Sequence, residues 1–128
     1  MSLPRIVNLQ WGRISIEQPN LPLMSYKDAR ICPSRSDEWD WGLTGTQHQP
    51  GIQWADFADL LNEHPDTQLI IFSKGMHNQL HVHPETLHRL SVQYPQITVY
   101  HLNTREAADL YNKMRMTHRI IGLFHSTC

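Results

Sequence analysis

The chain has 128 residues, a length typical of one domain that buries its own hydrophobic core without cross-links. Lysine and arginine number 11 and aspartate and glutamate number 12, so the formal net charge of -1 provides no basic surface for a nucleic-acid backbone. The longest apolar run, Ile120–Phe124, is far too short to span a membrane.

The terminus and the cysteines indicate the compartment. The first residues carry no apolar signal core and no arginine-rich presequence. The two cysteines, Cys32 and Cys128, provide no disulfide framework, so the simplest prediction is reduced thiols in the cytosol. We expect a single domain over residues 1–128, a monomer or weak homo-oligomer, with no nucleic-acid or membrane partner.

The N-terminal quarter favours two antiparallel strands. Apolar residues in Ile6–Ile16 fall near every second position, which is the period of a half-buried strand. A turn that contains prolines precedes a second predicted strand, Tyr26–Cys32, and Pro33 ends it. We expect these two strands to pair with each other as a hairpin.

The segment Ser34–Gln53 is long for a loop and carries two tryptophans. In an extended chain Trp39 and Trp41 share one side and Asp40 lies on the other. Because large aromatic side chains need burial, one interpretation is a structural flap that covers one end of the core. In the other interpretation, four polar side chains of the segment line a pocket: Asp40, Thr44, Thr46 and His48.

The second half alternates strands and helices around an unbroken apolar run. Leu69–Phe72 predicts a strand buried on both faces, which is typical of the middle of a parallel sheet. Further strands are predicted over Ile97–Leu102 and Arg119–Phe124, and helices over Trp54–His64, from Pro84 to Tyr94, and from an N-cap at Thr104 to Met116. The helical phase of the first helix places Asp56, Asp59 and Glu63 toward water.

These elements predict a three-layer α/β domain. Its central mixed sheet combines the N-terminal antiparallel hairpin with a parallel βαβαβ half that has right-handed crossovers. The carboxyl ends of the parallel strands then meet at one edge, where open α/β sheets bind their ligands. The predicted ligand pocket consists of Ser73, Lys74, Gly75, Met76, Asn103, Thr104 and His125 at that edge, with Asp40, Thr44 and His48 from the flap.

Several short motifs follow one another along nearly the whole chain. They are Tyr26-Lys27-Asp28, Trp39-Asp40-Trp41, Thr44-Gly45-Thr46 with His48, Pro50-Gly51-Ile52-Gln53, Ala55-Asp56, Gly75-Met76, Thr104, Ala107, Tyr111-Asn112 and Phe124-His125-Ser126-Thr127-Cys128. In these motifs the chain resembles the cytosolic branch of the adipogenesis-associated Mth-domain-containing family, a distant relative of a mitochondrial complex I assembly factor. The resemblance implies a three-layer α/β fold and no established catalytic activity, and it offers no agreed catalytic residues to carry over to this chain. We expect no catalytic residues and no cofactor.

Histidines are abundant, and four of the nine lie in His77–His88: His77, His81, His83 and His88. His81 and His83 point the same way in an extended chain, so with a third ligand they could hold zinc or nickel. No cysteine or acidic residue has the matching spacing. The favoured interpretation is therefore an exposed polar loop without a metal.

Other polar residues suggest binding or catalysis. Lys74 and Gly75 could hold a small anion against backbone N–H groups, although the glycine patterns of P-loops and dinucleotide sites are absent. His125 could activate Cys128 only if the tail turns back. Asp28 and Asp40 could form a carboxylate pair for acid–base work, while hydrogen bonding to the neighbouring threonine turn is the simpler role.

We therefore expect a cytosolic binding or adaptor protein without catalytic activity that acts through a protein partner. The alternative is a protein, with or without enzymatic activity, that binds a small molecule or anion in the predicted pocket. A redox or metal role through Cys128 or the histidine loop is the third hypothesis.

Overall fold

The computed structural model describes residues 3–128. Its strands are β1 (Arg5–Gln10), β2 (Arg13–Glu17), β3 (Met24–Tyr26), β4 (Asp28–Cys32), β5 (Arg35–Glu38), β6 (Leu69–Ser73), β7 (Thr98–Leu102) and β8 (Ile120–His125). Its helices are α1 (Trp41–Thr44), α2 (Ala58–Glu63), α3 (Pro84–Gln93) and α4 (Thr104–Met114), and a 3₁₀ turn, Trp54–Asp56, precedes α2. The expectation of a terminus without a leader falls partly on Met1 and Ser2, which lie outside the described residues.

The central sheet has five strands in the order β5-β4-β8-β6-β7. β6 is parallel to both β7 and β8, whereas β4 is antiparallel to β5 and to β8. A separate antiparallel sheet contains β1, β2 and β3. The predicted α/β class is therefore confirmed, with a mixed central sheet and a parallel βαβαβ half, whereas the N-terminal antiparallel hairpin lies in the separate sheet.

The apolar run in β6 is covered on both faces, as its composition predicts. Ile70 and Phe72 pack in the cluster that contains the buried leucines of α2 and α3. Leu69 and Ile71 pack on the other side, with α4 and the three-stranded sheet. Each such side chain contributes about 1.5–3 kcal/mol on burial, so these two contact layers hold the domain together.

The predicted strand Ile6–Ile16 is wrong as a single element. The chain turns at Trp11-Gly12, and β1 pairs antiparallel with β2, which places Leu9 opposite Ile14. Gly12 has a φ of 81°, which a glycine adopts without steric cost. A two-residue turn keeps the apolar alternation in phase on both arms, so periodicity alone does not reveal the turn.

The predicted hairpin between Ile6–Ile16 and Tyr26–Cys32 is also wrong. The second segment divides at Lys27: β3 joins β2, and β4 enters the central sheet between β5 and β8. The antiparallel hairpin that does form is the one between β1 and β2. Lys27 links the two sheets, because it is the single residue between β3 in one sheet and β4 in the other.

The segment Ser34–Gln53 contains regular structure that its polar composition does not indicate. β5 has no large apolar side chain, but it pairs with β4, and Asp37 accepts two hydrogen bonds from Arg30, at 2.9 and 2.8 Å. The helix predicted over Trp54–His64 is broken at Phe57 into the 3₁₀ turn and α2. Asp56 was predicted to face water and is instead 2% exposed.

The ends of α4 differ slightly from the prediction. The N-cap is Asn103, whose side chain accepts the N–H of Arg105 at 3.0 Å, and the helix ends at Met114 rather than at Met116. Thr104 is the first helical residue, and its hydroxyl donates to the carbonyl of His125 at 2.7 Å. α4 is therefore anchored to the end of β8.

Tyr111 and Asn112 attach α4 to the N-terminal segment. Tyr111 is buried, as its helical phase predicts, and donates to the carbonyl of Pro4 at 2.7 Å. Asn112 accepts the N–H of Ile6 at 3.0 Å and donates to its carbonyl at 2.7 Å.

Within residues 3–128, none of the helices combines the length and the apolar composition that crossing a bilayer requires.

A glycine-to-alanine pair tests how closely the chain packs after β6. Gly75 has a φ of 88°, and a Cβ there would overlap the carbonyl group of Cys128, whereas Gly45 has a φ of 72° and open space around it. We expect Gly45→Ala to lower the free energy of unfolding by ~1–2 kcal/mol, because of the backbone conformation alone. Gly75→Ala should lose ~1–3 kcal/mol more from steric overlap, measured by urea unfolding. Equal losses in the two variants would contradict the close packing of Gly75 against Cys128.

Candidate functional site

The carboxyl ends of β6, β7 and β8 meet at one edge of the central sheet. The N–H of His125 donates to the hydroxyl of Ser73 at 2.7 Å. The side-chain amide of Asn103 donates to the carbonyl of Met76 at 3.1 Å, and the N–H of Thr104 donates to the carbonyl of Gly75 at 3.2 Å. The structure therefore brings these predicted residues together, through hydrogen bonds within the protein.

The chain's own last residues fill much of this edge. The N–H of Met76 donates to the carbonyl of Thr127 at 2.6 Å, and the N–H of Lys74 donates to the carbonyl of Leu102 at 2.7 Å. Gly75 lies against the backbone of Cys128. An anion held by the N–H groups of Lys74 and Met76 would have to displace these hydrogen bonds.

A buried histidine forms the polar centre of the site. His125 is 3% exposed, and its Nδ1 lies 2.7 Å from Oδ1 of Asp28. Because a carboxylate only accepts, we assign the proton to Nδ1, which leaves a lone pair on Nε2. That Nε2 lies 3.2 Å from Nε2 of His48 and 3.3 Å from the hydroxyl of Thr127.

Burial influences the ionisation of His48. Burial lowers the pKa of His48, and the adjacent imidazole of His125 lowers the pKa further. The neutral imidazole of His48 is therefore favoured over the charged one. A neutral imidazole keeps a lone pair that can accept a proton or bind a metal ion.

The tryptophan flap covers the histidine pair. The ring centroid of Trp41 lies 4.6 Å from that of His125 and 5.1 Å from that of His48. The rings of Trp39 and Trp41 are in contact at 5.4 Å, so the two side chains lie together as their spacing predicts. The indole N–H of Trp41 is buried and has no hydrogen-bond partner among the described residues.

A second buried carboxylate, Asp56, holds the flap in place. It accepts hydrogen bonds from the indole of Trp39 at 3.1 Å and from the hydroxyl of Thr44 at 2.6 Å. The hydroxyl of Thr46 and the N–H of Gln53 also donate to it. Thr44 and Thr46, which are predicted to line a pocket, therefore hold the flap in place through Asp56. The prediction from helical phase that Asp56 faces water is wrong.

Asp40 is separated from the histidine pair. Its carboxylate accepts the N–H of Gly42 at 2.8 Å and caps α1. It lines a surface concavity of about 250 Å³ together with Arg30, Leu43 and Thr44, and none of the predicted strand-end residues belongs to that lining. The carboxylate pair of Asp28 and Asp40 is therefore not assembled, since Asp28 contacts His125 instead.

The histidines of His77–His88 point to different partners. His77 stacks on Trp11 with ring centroids 4.9 Å apart, and His83 accepts the N–H of Glu85 at 3.1 Å. Nε2 of His81 lies 3.1 Å from the side-chain amide of Gln49. Across residues 3–128, no three side chains of histidine, cysteine, aspartate or glutamate are grouped to hold a metal ion.

Asp28 and Lys27 hold two residues of the C-terminal segment, His125 and Ser126. The hydroxyl of Ser126 donates to the carbonyl of Lys27, and its N–H donates to Asp28 at 3.3 Å. The partners of His125 are Asp28 and His48, which sequence reasoning did not connect to it. Asp28 and His125 lie 97 positions apart, and only the pairing of β4 with β8 brings them together.

No protein-family model matches the chain. Its fold is similar to that of a conserved hypothetical protein from Pyrococcus horikoshii OT3, with 20% identity, a TM-score of 0.70, and coverage of 97% of this chain and 99% of that one. It is also similar to a structure described as an outer membrane protein from Bartonella henselae, with 17% identity, a TM-score of 0.72 and coverage of 99% and 98%. A protein from Bordetella parapertussis has 15% identity, a TM-score of 0.71 and 98% coverage of both chains. At these identities the likeness shows the fold alone.

Removal of the Asp56 carboxylate should loosen the flap. Asp56→Ala leaves the indole of Trp39 and the hydroxyl of Thr46 buried without their acceptor, so we expect a loss of about 3 kcal/mol or more in the free energy of unfolding. Asp59→Ala is the control, because its carboxylate is 53% exposed and pairs with Arg30 at the surface, a contact worth ~1 kcal/mol or less. Urea unfolding measures both. Similar losses would show that Asp56 does not organise the flap.

The half-buried imidazole of His101 should make stability depend on pH. Burial lowers the pKa of His101 from 6.5, and Nε2 lies 3.1 Å from the carbonyl of Leu80. A lowered pKa in the folded state stabilises the fold above about pH 6.5, and this contribution is lost as the pH falls through the folded-state value. We expect unfolding free energies measured from pH 8 to pH 5 to fall more steeply for the natural protein than for His101→Gln. Parallel curves would contradict this assignment.

Proposed function

We propose that this protein is a cytosolic binding or adaptor protein without catalytic activity, whose protein partner docks at the carboxyl edge of β6, β7 and β8. The observation that carries the proposal is an exposed aromatic side chain beside this edge. Trp11 is 53% exposed, and the next residue, Gly12, donates its N–H to the carbonyl of Ser126 at 3.0 Å. The β1–β2 turn therefore places Trp11 next to the C-terminal segment.

The setting of Trp11 suits a binding anchor. Its ring is held against His77, so less side-chain freedom is lost when a partner covers it. Tryptophan is enriched among the interface residues whose truncation costs most binding energy, because it combines a large apolar area with an N–H donor. A partner with an apolar pocket and a hydrogen-bond acceptor at its rim fits this chemistry.

Three further points support the proposal. The resemblance to the adipogenesis-associated Mth-domain-containing family implies a protein with no established catalytic activity. Cys32 and Cys128 are both free thiols, which agrees with a reducing compartment. The net charge of -1 agrees with a protein partner rather than a nucleic acid.

The second candidate is a protein that binds a small molecule or anion at the same edge, with or without turnover. The pairing of Asp28 with His125 favours it, because a carboxylate that orients an imidazole is a common acid–base arrangement. The occupied N–H groups of Lys74 and Met76 weigh against an anion there. Titration with inorganic phosphate tests this candidate. NMR chemical-shift changes confined to the residues at these strand ends would favour it over the first candidate.

Truncation of Trp11 tests the adaptor function. We expect Trp11→Ala to reduce the amount of a specifically captured partner at least tenfold in affinity capture from lysate, since a lost anchor costs ~1.4 kcal/mol or more. Val92→Ala is the matched control, because Val92 is 64% exposed on α3. Equal capture by Trp11→Ala and Val92→Ala, or no reproducible partner for the natural protein, would contradict the proposal.

A further inference from the structure

We propose that His48 and His125 together bind one divalent transition-metal ion, with zinc as the best-fitting candidate. The two Nε2 atoms lie 3.2 Å apart. An ion placed about 2.0–2.1 Å from each, the usual zinc–imidazole distance, would subtend about 100–106° between them. That angle is close to the ~109° of a tetrahedral site, so the two rings are already spaced for a shared ion.

The position of Asp28 prepares His125 for this role. Its Oδ1 lies 2.7 Å from Nδ1 of His125, so the ring donates its Nδ1 proton to the carboxylate and directs the lone pair of Nε2 toward His48. Histidines that bind metals usually donate their other N–H to a carboxylate in this way, which fixes the tautomer and makes the ring a stronger ligand. Asp28 is therefore a positioning residue for the ion.

The surroundings also fit a bound cation. Two imidazoles suit zinc, copper or nickel better than the hard cations calcium and magnesium. The hydroxyl of Thr127 lies 3.3 Å from Nε2 of His125.

The competing explanation is a hydrogen bond in which Nε2–H of His48 donates to Nε2 of His125, because 3.2 Å fits both arrangements. The two arrangements differ in whether Nε2 of His48 carries a proton. With zinc bound, neither Nε2 carries a proton, whereas in the hydrogen bond one of them does. Long-range ¹H–¹⁵N spectra of the histidine rings, recorded before and after addition of zinc, distinguish them.

The test is calorimetric titration of Zn²⁺ into the protein purified without a histidine tag. We expect one equivalent to bind to the natural protein and the Nε2 signals of His48 and His125 to shift while Nδ1–H of His125 persists. His48→Gln should weaken binding at least tenfold, and Asp28→Asn should weaken it about 10- to 100-fold. Circular dichroism shows whether each variant keeps the fold.

The histidine loop supplies the matched control. His81→Gln combined with His83→Gln should leave the affinity unchanged, because neither ring touches the His48–His125 pair. Three outcomes would overturn the proposal: no binding to the natural protein, equal affinity of His48→Gln, or loss of binding in the loop variant. The capture experiment on Trp11 is independent of this result, so the two proposals fail separately.

Discussion

The insertion of β8 between β4 and β6 is the constraint on which the rest of the structure depends. All six residues of this strand are buried. Its backbone is hydrogen-bonded to the antiparallel strand β4 on one side and to the parallel strand β6 on the other. Without β8, β4 and β5 would have no connection to the parallel half of the sheet. The apolar faces on which α3 and α4 pack would then be divided between two fragments.

The same insertion produces the polar centre of the molecule. The register of β4 against β8 places Asp28 opposite His125. At the end of β8, the backbone of His125 is hydrogen-bonded to the side chains of Ser73 and Thr104. Buried polar groups need partners, and here the partners come from elements remote in sequence. The histidine is held by its carboxylate and covered by the tryptophan flap, which Asp56 fixes in turn. The site therefore depends on strand order as much as on residue type.

The sequence predicts the structure correctly where a pattern of residues is compatible with one arrangement. The apolar run Leu69–Phe72 has to be buried on both faces, and the helical stripes and short connections then require parallel strands with their carboxyl ends at one edge. It failed where the outcome depends on partners. The turn at Gly12 preserves the period of the strands around it, β5 is held by pairing rather than by apolar residues, and Asp56 is buried because four donors surround it.

The same reason limits what the sequence predicts of the site. The candidate list included His125 and His48 but could not join them, because the pairing register that unites Asp28 with His125 is a property of the folded sheet. Thr44 and Thr46 were correctly associated with the flap, yet their hydroxyls face Asp56 rather than a ligand. Residue type indicates which groups need partners, whereas topology decides which partners they receive.

The central position of a late strand has a consequence for biosynthesis. During translation, β4 and β5 are made more than 80 residues before β8, the strand that separates them from β6, because β5 ends at Glu38 and β8 begins at Ile120. Until Ile120–His125 leave the ribosome, β4 and β6 each present an unpaired edge, and such edges promote association with other chains. The five-stranded sheet therefore cannot close before β8 is available to pair with both β4 and β6.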